Sequence, residues 1–318
     1  MFVSTASKVP QANENKLLIE NNQPVDSTPG LESFSLIVGG DLMFDRHIRT
    51  KAEAKGNYDF IFDAELTEFL NSADYALANL EGPIVLEPSI SQYSSPGGPG
   101  NYTFTFSPDI ISVLKNNNLK ILNLGNNHIL NFGLAGLEST YQYLDDAQLI
   151  YFGDVGADMA KQRFYMMQVL DEQIALISYN QFVAEAKNKT LQDIAEAQKQ
   201  GASLIILFSH WGNEYVPVAN QVIVDLAHQF IDQGVDLIVG GHPHVIQNQE
   251  VYKNKTIYYS LGNFVFDQYF SPETQEGLLL KINFTYHANS KKWTYEIDER
   301  KVYMNRDGVS SLRKTQID

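Results

Sequence analysis

Residues 235–247 read VDLIVGGHPHVIQ and end an apolar run with two glycines and two closely spaced histidines, His242 and His244. The apolar run is typical of a strand that is buried on both faces of a sheet. The glycines permit a tight turn directly behind the strand. Because two imidazoles beside one glycine bend are typical of a metal site, we expect both histidines to be metal ligands.

Apolar runs that end in polar residues recur along the chain from residue 34 onward. Short β-branched runs predict strands at 34–40, 75–80, 120–125, 174–179, 203–210 and 235–241. Amphipathic stretches between them predict helices at 63–73, 107–118, 134–147, 190–201 and 220–234. This alternation predicts an α/β fold. The last third of the chain changes to consecutive strands and hairpins, which predict a mixed sheet packed on the first.

The composition excludes several classes of function. With 318 residues and 44% hydrophobic content, the chain can bury the core of one large domain. It has no cysteine, so any metal must be held by nitrogen and oxygen ligands. The net charge of -15 opposes binding to nucleic acid or to an anionic membrane surface. We therefore expect no nucleic-acid partner.

The N-terminal segment differs from the rest of the chain. Residues 1–33 are rich in Asn, Gln, Ser and Pro and predict a flexible tether, followed by a single domain over 34–318. Because no apolar run approaches the roughly 18 residues that span a bilayer, we expect the chain as given to be soluble. A segment of this kind is expected where a signal or membrane anchor has been removed, and it is equally typical of an ordinary disordered tail. The sequence leaves these two alternatives open.

The candidate catalytic and metal-binding side chains follow the predicted strands. Since the carboxyl ends of parallel strands form one edge of an α/β sheet, these side chains can converge there. Carboxylate, carboxamide and imidazole groups suit Zn, Mn or Fe, and a shared carboxylate can hold two ions about 3.5 to 4 Å apart. Such a pair would clamp a phosphoryl or carbonyl oxygen and generate hydroxide near neutral pH. The candidates are Asp41, Glu81, Asn127, His128, His210, His242 and His244.

Other polar residues have simpler interpretations. An isolated histidine is more often hydrogen-bonded than metal-bound, and we expect this for His47, His228 and His287. Asp41 or Glu81, taken alone, is as compatible with a helix cap or a solvated strand end as with a ligand. The combination of strand-end residues favours a site.

Six motifs, in this order, resemble those of the capsule-synthesis CapA family, which is associated with poly-gamma-glutamate production. They lie between about residues 34 and 268 and read GGDLMFDR, ANLEGP, LGNNHILNFG, HWGNEY, GGHPHVIQ and YSLGNFVFDQ. Six ordered motifs are far more specific than any one of them. The family is similar to the calcineurin-like metallophosphoesterases. The resemblance implies a four-layer α/β/β/α sandwich with a dinuclear metal site at the strand ends.

The resemblance also implies roles for the metal-binding residues. Asp41 and His244 would hold one ion, and Glu81 would bridge it to a second. The second ion would be held by Asn127, His210 and His242. The implied cofactors are therefore one or two divalent ions, Mn, Zn or Fe.

Three further residues match family positions that face the substrate. His128 corresponds to the histidine that assists the leaving group, and Arg46 and Glu214 match substrate-facing polar positions. Two departures from the wider phosphoesterase pattern stand out. Met43 occupies the place of a metal-binding histidine, and Glu81 replaces a bridging aspartate. Because a thioether is a poor ligand for such ions, we expect the first site to bind metal more weakly.

Three hypotheses follow for the function. The first is a capsule-biosynthesis protein with a metal-dependent, phosphoesterase-type site, outside the cytoplasm, acting on a phosphoester or a polyglutamate chain beside membrane-bound capsule synthase subunits. The second is a stand-alone metallophosphatase or phosphodiesterase. The third is a non-catalytic subunit that binds an anionic polymer. We favour the first, and with it an enzymatic role.

Overall fold

The computed structural model describes residues 31–156 and 162–313. Over these residues the chain forms six α-helices and fourteen strands. The helices are α1 (Arg46–Lys55), α2 (Ala64–Asn71), α3 (Ile110–Asn116), α4 (Gly133–Ala147), α5 (Ala186–Lys199) and α6 (Gln221–Asp232). The strands are β1 (Leu31–Leu42), β2 (Tyr75–Leu80), β3 (Leu119–Asn123), β4 (Ile150–Phe152), β5 (Phe164–Val169), β6 (Glu172–Asn180), β7 (Ala202–His210), β8 (Leu237–Gly241), β9 (Gln249–Tyr252), β10 (Lys255–Tyr258), β11 (Asn263–Val265), β12 (Glu276–His287), β13 (Lys292–Met304) and β14 (Ser310–Leu312).

The predicted tether, residues 1–33, lies outside the described residues except for its last three. Those three begin β1 and pair with the end of β12. The first strand therefore starts before the predicted domain boundary at residue 34. None of the helices in the described ranges combines the length and the hydropathy required of a membrane-spanning segment.

The strands form two sheets. The first has the order β14-β13-β12-β1-β2-β3-β4, with β11 paired to β1 as an eighth strand. The second has the order β5-β6-β7-β8-β10-β9. Within them, β1 to β4 run parallel, as do β6, β7, β8 and β10. All six predicted strands are present, and they divide equally between the two sheets.

The sheets pack face to face because their strands are apolar on both sides. Successive side chains of a strand point to opposite faces. On β1, Val38 lies in the core between the sheets, and Ile37 lies in the core under α1 to α4. On β7, Ile206 faces the other sheet, and Leu207 packs under α5 and α6. Helices therefore cover the outer face of each sheet. The predicted four-layer α/β/β/α sandwich is confirmed.

The C-terminal third does form consecutive strands, but the prediction that they build a separate mixed sheet is wrong. β12, β13 and β14 are antiparallel extensions of the first sheet, and β9 and β10 extend the second. The physical reason is that β1 has a free edge on the side away from β2. β12 pairs with that edge along eight residues, from Leu31 to Val38.

Candidate active site

The predicted strand-end residues come together where β1, β2, β3, β7 and β8 end. Asp41 lies on β1, His210 is the last residue of β7, and the others lie one to four residues beyond the ends of their strands. The rings of His210 and His242 are 4.9 Å apart, and those of His242 and His244 are 5.9 Å apart. We call this group the strand-end cluster: Asp41, Glu81, Asn127, His210, His242 and His244.

Asp41 is the fully buried centre of the cluster. Its carboxylate accepts hydrogen bonds from Asn79 Nδ2 at 2.9 Å and from the His242 backbone N–H at 3.0 Å. His244 Nδ1 lies 3.5 Å and His210 Nδ1 lies 3.9 Å from its two oxygens. Burial alone would raise the pKa of Asp41, but the interactions with His244, His210 and His242 outweigh it and lower that pKa. Asp41 is therefore an anion ready to bind a cation.

Glu81 is also fully buried, and its Oε1 atom has no hydrogen-bond partner. That oxygen lies 3.7 Å from His244 Nε2 and 4.0 Å from His128 Nε2. Burial, followed by the nearby carboxylate of Asp41, raises the pKa of Glu81 well above its ordinary value. A buried polar atom without a partner costs free energy, so this oxygen is positioned for a ligand from outside the chain.

Asn127 and His210 face each other on the opposite side of the cluster. His210 Nε2 lies 2.8 Å from Asn127 Oδ1, so the imidazole donates this hydrogen bond to the amide oxygen. Burial is the main cause that lowers the pKa of His210 well below its ordinary value. The ring is therefore neutral, and it would have to release its Nε2 proton before this nitrogen could hold a cation together with Asn127.

The turn after β8 holds two histidines in backbone conformations that favour glycine. His242 has φ 91° and His244 has φ 57°. Such conformations cost about 1 to 3 kcal/mol each and concentrate at functional sites. The strand end is equally constrained, because a Cβ on Gly241 would lie 2.8 Å from Asp41 Oδ1. Burial lowers the pKa of His242 to about 3, and its buried Nδ1 has no hydrogen-bond partner.

Asn263, which the sequence analysis did not assign, orients His244. This fully buried side chain lies on β11, and its Oδ1 accepts a hydrogen bond from His244 Nδ1 at 2.9 Å. Its Nδ2 donates hydrogen bonds to the Thr274 backbone carbonyl at 2.9 Å and to Gln268 Oε1 at 3.1 Å, which fixes the amide orientation. His244 Nε2 therefore keeps its lone pair toward the cluster.

Asn79 is a second residue that the sequence analysis missed. Its Nδ2 donates to Asp41 at 2.9 Å and lies 3.4 Å from Glu81 Oε2. Its Oδ1 accepts from Asn123 and Asn126 at 3.0 and 3.1 Å. A chain of buried amides thus holds the two carboxylates. The sequence did contain a signal for these two asparagines, because Asn79 lies inside the quoted motif ANLEGP and Asn263 inside YSLGNFVFDQ.

His128 lies at the edge of the cluster, against Phe104, with ring centroids 4.3 Å apart. Its Nδ1 is 3.3 Å from Asn131 Oδ1, which leaves Nε2 toward Glu81. Burial lowers the pKa of His128 to about 4. The ring is therefore neutral at pH 7 without a ligand, and it needs an anion beside it to hold the proton of a general acid.

Arg46 lies beside the cluster rather than in it. Its guanidinium pairs with Asp267 and stands 5.2 Å from the ring centre of Phe104 and 5.3 Å from that of Phe266. It lines a cavity of about 360 Å³ together with Tyr215 and other residues. This is a position from which a cation can meet an anionic substrate.

Met43 provides no metal ligand. It is fully buried in the core under α1 to α4, and its Sδ accepts a hydrogen bond from the Asp45 backbone N–H at 3.1 Å. The remaining histidines lie away from the cluster. His47, His228 and His287 contact the Arg306 carbonyl, the Glu250 carboxylate and the Thr294 hydroxyl respectively.

Among the residues that the structure describes, two groups of side chains could hold a metal ion. Asp41, Glu81 and His244 form one, and Glu214, His242 and His244 form the other; in each, the ligand atoms lie within 4.8 Å of one another. Together with the unpartnered oxygen of Glu81, these mixed nitrogen and oxygen donors match the preferences of Zn, Mn or Fe. The sequence analysis gave Glu214 a substrate-facing role, whereas the structure groups its carboxylate with the possible metal-ligand atoms of His242 and His244.

Comparison with known proteins decides the family. The model of the family described as bacterial capsule synthesis protein PGA_cap matches residues 35–268, most of the chain. The chain belongs to this family. The predicted resemblance is confirmed.

Curated relatives of this chain agree. It is 30% identical over 254 residues to the capsule biosynthesis protein CapA of Bacillus anthracis, covering 74% of this chain and 61% of the relative. It is 31% identical over 244 residues to the PGA biosynthesis protein CapA of Bacillus subtilis (strain 168), covering 72% and 62%. The chain thus spans about three fifths of the length of these relatives.

Solved structures resemble this chain in fold. A putative 5'-nucleotidase from Staphylococcus aureus gives a TM-score of 0.53 at 13% identity, covering 84% of this chain and 54% of that one. A hypothetical protein from Thermus thermophilus gives 0.52 at 11% identity, covering 84% and 99%. The fold is that of the calcineurin-like metallophosphoesterases.

Proposed function

We propose that this protein binds one or two divalent metal ions at the strand-end cluster and uses them in a phosphoesterase-type hydrolysis during capsule or poly-gamma-glutamate biosynthesis. The substrate would be anionic, either a phosphoester or the amide-linked polyglutamate chain. The names of the curated relatives support the pathway, and the donor atoms of the cluster support the metal.

The observation that carries this proposal is the pair of buried acidic side chains, Asp41 and Glu81, within the cluster. Both carboxylates are fully buried, and within the described ranges the ion-pair partners of each are histidines alone. Two of the neighbouring histidines, His210 and His242, have lowered pKa values and are neutral. Without a ligand Glu81 keeps its proton, because its pKa is raised, and a divalent cation would supply the counter-charge that lets Glu81 bind as a carboxylate beside Asp41.

The residues have distinct roles in this proposal. Asp41, Glu81 and His244 would hold one ion, and Asn127, His210 and His242 would hold the other, with Glu81 between them. A bound ion of this kind polarises a phosphoryl or carbonyl oxygen and lowers the pKa of a bound water. His128 Nε2 would give a proton to the leaving group, and Arg46 would orient the anionic substrate from the neighbouring cavity.

The cellular setting extends the same proposal. A capsule polymer is assembled at the cell surface, so we place the reaction outside the cytoplasm, beside membrane-bound capsule synthase subunits. The names of the curated relatives support this setting by their reference to capsule and PGA biosynthesis.

One observation favours a second candidate, a non-catalytic subunit that binds polyanions through its ions. Met43 is buried in the core and leaves one ion with fewer protein ligands. Weak coordination would suit holding a polymer rather than cleaving it. A metal-loaded protein that retains polyglutamate on a column without shortening it would support this candidate over hydrolysis.

The test combines metal analysis with hydrolysis. We would strip the protein with a chelator, reload it with Mn or Zn, and measure bound metal by mass spectrometry and cleavage of bis(p-nitrophenyl) phosphate and of poly-gamma-glutamate. We expect bound metal and turnover in the parent, and loss of both in Asp41→Asn and His242→Ala. His228→Ala, which alters a histidine outside the cluster, serves as the control. A parent that binds no metal, or a His242→Ala protein with unchanged metal content, would contradict the proposal.

A further inference from the structure

Glu214 is an exposed residue in the loop after β7. Hydrogen bonds hold the backbone of this loop on both sides of Glu214. The Gly212 N–H donates to Gln181 Oε1 at 2.7 Å, and Gln181 Nε2 donates back to the Gly212 carbonyl at 2.9 Å. On the other side of Glu214, the Tyr215 N–H donates to the Pro243 carbonyl at 2.8 Å. The backbone on both sides of Glu214 is therefore fixed, and on the Tyr215 side it is fixed to the histidine turn.

The histidine turn presents ligand atoms to this carboxylate. The ligand atoms of Glu214, His242 and His244 lie within 4.8 Å of one another. His242 is 5% exposed and His244 is 3% exposed, so both imidazoles are buried. Each has an atom available. His242 Nδ1 has no hydrogen-bond partner, and His244 Nε2 is left free of a donor role because Nδ1 bonds to Asn263.

The backbone of the site supports a shared purpose for these residues. Tyr215, next to Glu214, has φ 62°, and His242 and His244 also have positive φ. Three non-glycine residues in this conformation, on two loops that touch, indicate a strained arrangement retained for function. Tyr215 lines the cavity of about 360 Å³, so a ligand bound beside Glu214 would be within reach of that cavity.

We propose that Glu214 is a further ligand at the metal site, binding a divalent cation beside the imidazoles of His242 and His244. This inference rests on the proposed metal-dependent function and adds Glu214 to the ligands named there. Two imidazoles and one carboxylate form a ligand set that suits Zn, Mn or Fe and leaves coordination positions for water or substrate. The exposed side of Glu214 would be the entry side.

The test measures metal affinity, not turnover. Metal-free parent, Glu214→Gln, Glu214→Asp, His242→Ala and Asp41→Asn proteins are titrated with Zn and with Mn by calorimetry, and Co-loaded samples are compared by visible absorption. Glu87→Gln, which alters an exposed carboxylate on the loop after β2, is the matched control. Since loss of an outer-shell partner alone costs about 10 to 100-fold in affinity, we expect Glu214→Gln to weaken one binding event by roughly 100-fold or more.

The outcomes separate this inference from the proposed function. Loss of affinity in Glu214→Gln and His242→Ala, partial recovery in Glu214→Asp, and a changed Co spectrum would support the three-residue site. Parent-like titrations and spectra for Glu214→Gln, with affinity lost in Asp41→Asn, would overturn the Glu214 inference and leave the metal-dependent function intact. A parent that binds neither metal would overturn both.

Discussion

Single buried amides control the chemistry of this site. Asn79 lies between two carboxylates, and Asn263 fixes the tautomer of His244. An amide supplies both a donor and an acceptor without adding charge, so it can position ligands in a buried site at low electrostatic cost. Residues of this kind set the affinity of a site without touching the ion.

Asn263→Ala tests this role. Without the Asn263 oxygen, His244 Nδ1 loses its acceptor, and the ring is free to adopt the other tautomer. We expect metal affinity to fall by about 10 to 100-fold, measured by calorimetric titration. Asn117→Ala is the control, because Asn117 is also buried and hydrogen-bonded but caps α3. If both variants bind metal as tightly as the parent, Asn263 has only a structural role.

His128→Ala tests the proposed acid. A proton donor matters when the leaving group is basic and matters little when it is stable as an anion. We expect the variant to lose about 100-fold or more in kcat on an alkyl phosphodiester but much less on a p-nitrophenyl ester. Metal content should not change. Equal losses on both substrates would contradict proton donation by His128.

At the residue scale, the sequence predicts the reactive side chains better than their supports. His210, His242 and His244 stand out because they end apolar strands. Asn79 and Asn263 do not, since asparagine is common in turns and its role here depends on which atoms it meets in three dimensions. The placement of Glu214 was likewise hidden, because it depends on how two loops meet.

Among the elements, the start of α1 is bonded to a segment that lines the cavity. Asp45 is its N-cap, and the buried carboxylate also accepts hydrogen bonds from Ser89, Ser91 and the Thr105 N–H at 2.6, 2.6 and 2.7 Å. One side chain thus joins the helix to the long segment between β2 and α3. Ser91 also lines the cavity.

Asp45→Ala should therefore cost more than an ordinary cap. A lost helix cap alone costs about 1 kcal/mol, whereas leaving buried donors unpaired adds about 1 to 3 kcal/mol. We expect the free energy of unfolding to fall by the sum of these two costs, measured by urea denaturation. Asp63→Ala is the control, because Asp63 caps α2 through a single bond to the Leu66 N–H at 2.8 Å. Equal losses in the two variants would show that the loop contacts contribute little.

Helix α1 itself escaped prediction for a physical reason. Its sequence, RHIRTKAEAK, buries only Ile48 and Ala52, so it lacks a clear apolar stripe. The long amphipathic helices were predicted because packing against the sheets requires several apolar residues. The short strand β4, with three residues, gives too little pattern to read.

For the molecule as a whole, buried neutral histidines make stability depend on pH. Burial lowers the pKa of His242 to about 3 and that of His128 to about 4, and it lowers the pKa of His210 as well. In the unfolded chain these groups take up protons near pH 6.5. Between about pH 4 and 6.5 the unfolded state therefore binds more protons than the folded state, and acid favours unfolding.

We expect the melting temperature of the metal-free protein to fall as the pH is lowered from 7 toward 5. Glu81 has the opposite effect on stability, because its raised pKa keeps a proton in the folded state as the pH falls. We expect the three histidines together to outweigh this single group. His242→Asn should make the dependence shallower, since one of the three groups is removed. A variant with the same pH profile as the parent would contradict this account of the histidines.

The position of β1 also has a consequence for how the molecule assembles. Asp41 on β1 is in register with Asn79 on β2 and with Asn263 on β11, and Val38 pairs with Leu280 on β12. Strands β6 to β8, by contrast, join neighbours that are close along the chain. Pairing over long sequence separations slows folding. During synthesis, the part of the strand-end cluster that carries His210 can form once β8 has left the ribosome, whereas β1, which carries Asp41, waits for β12 to complete its sheet.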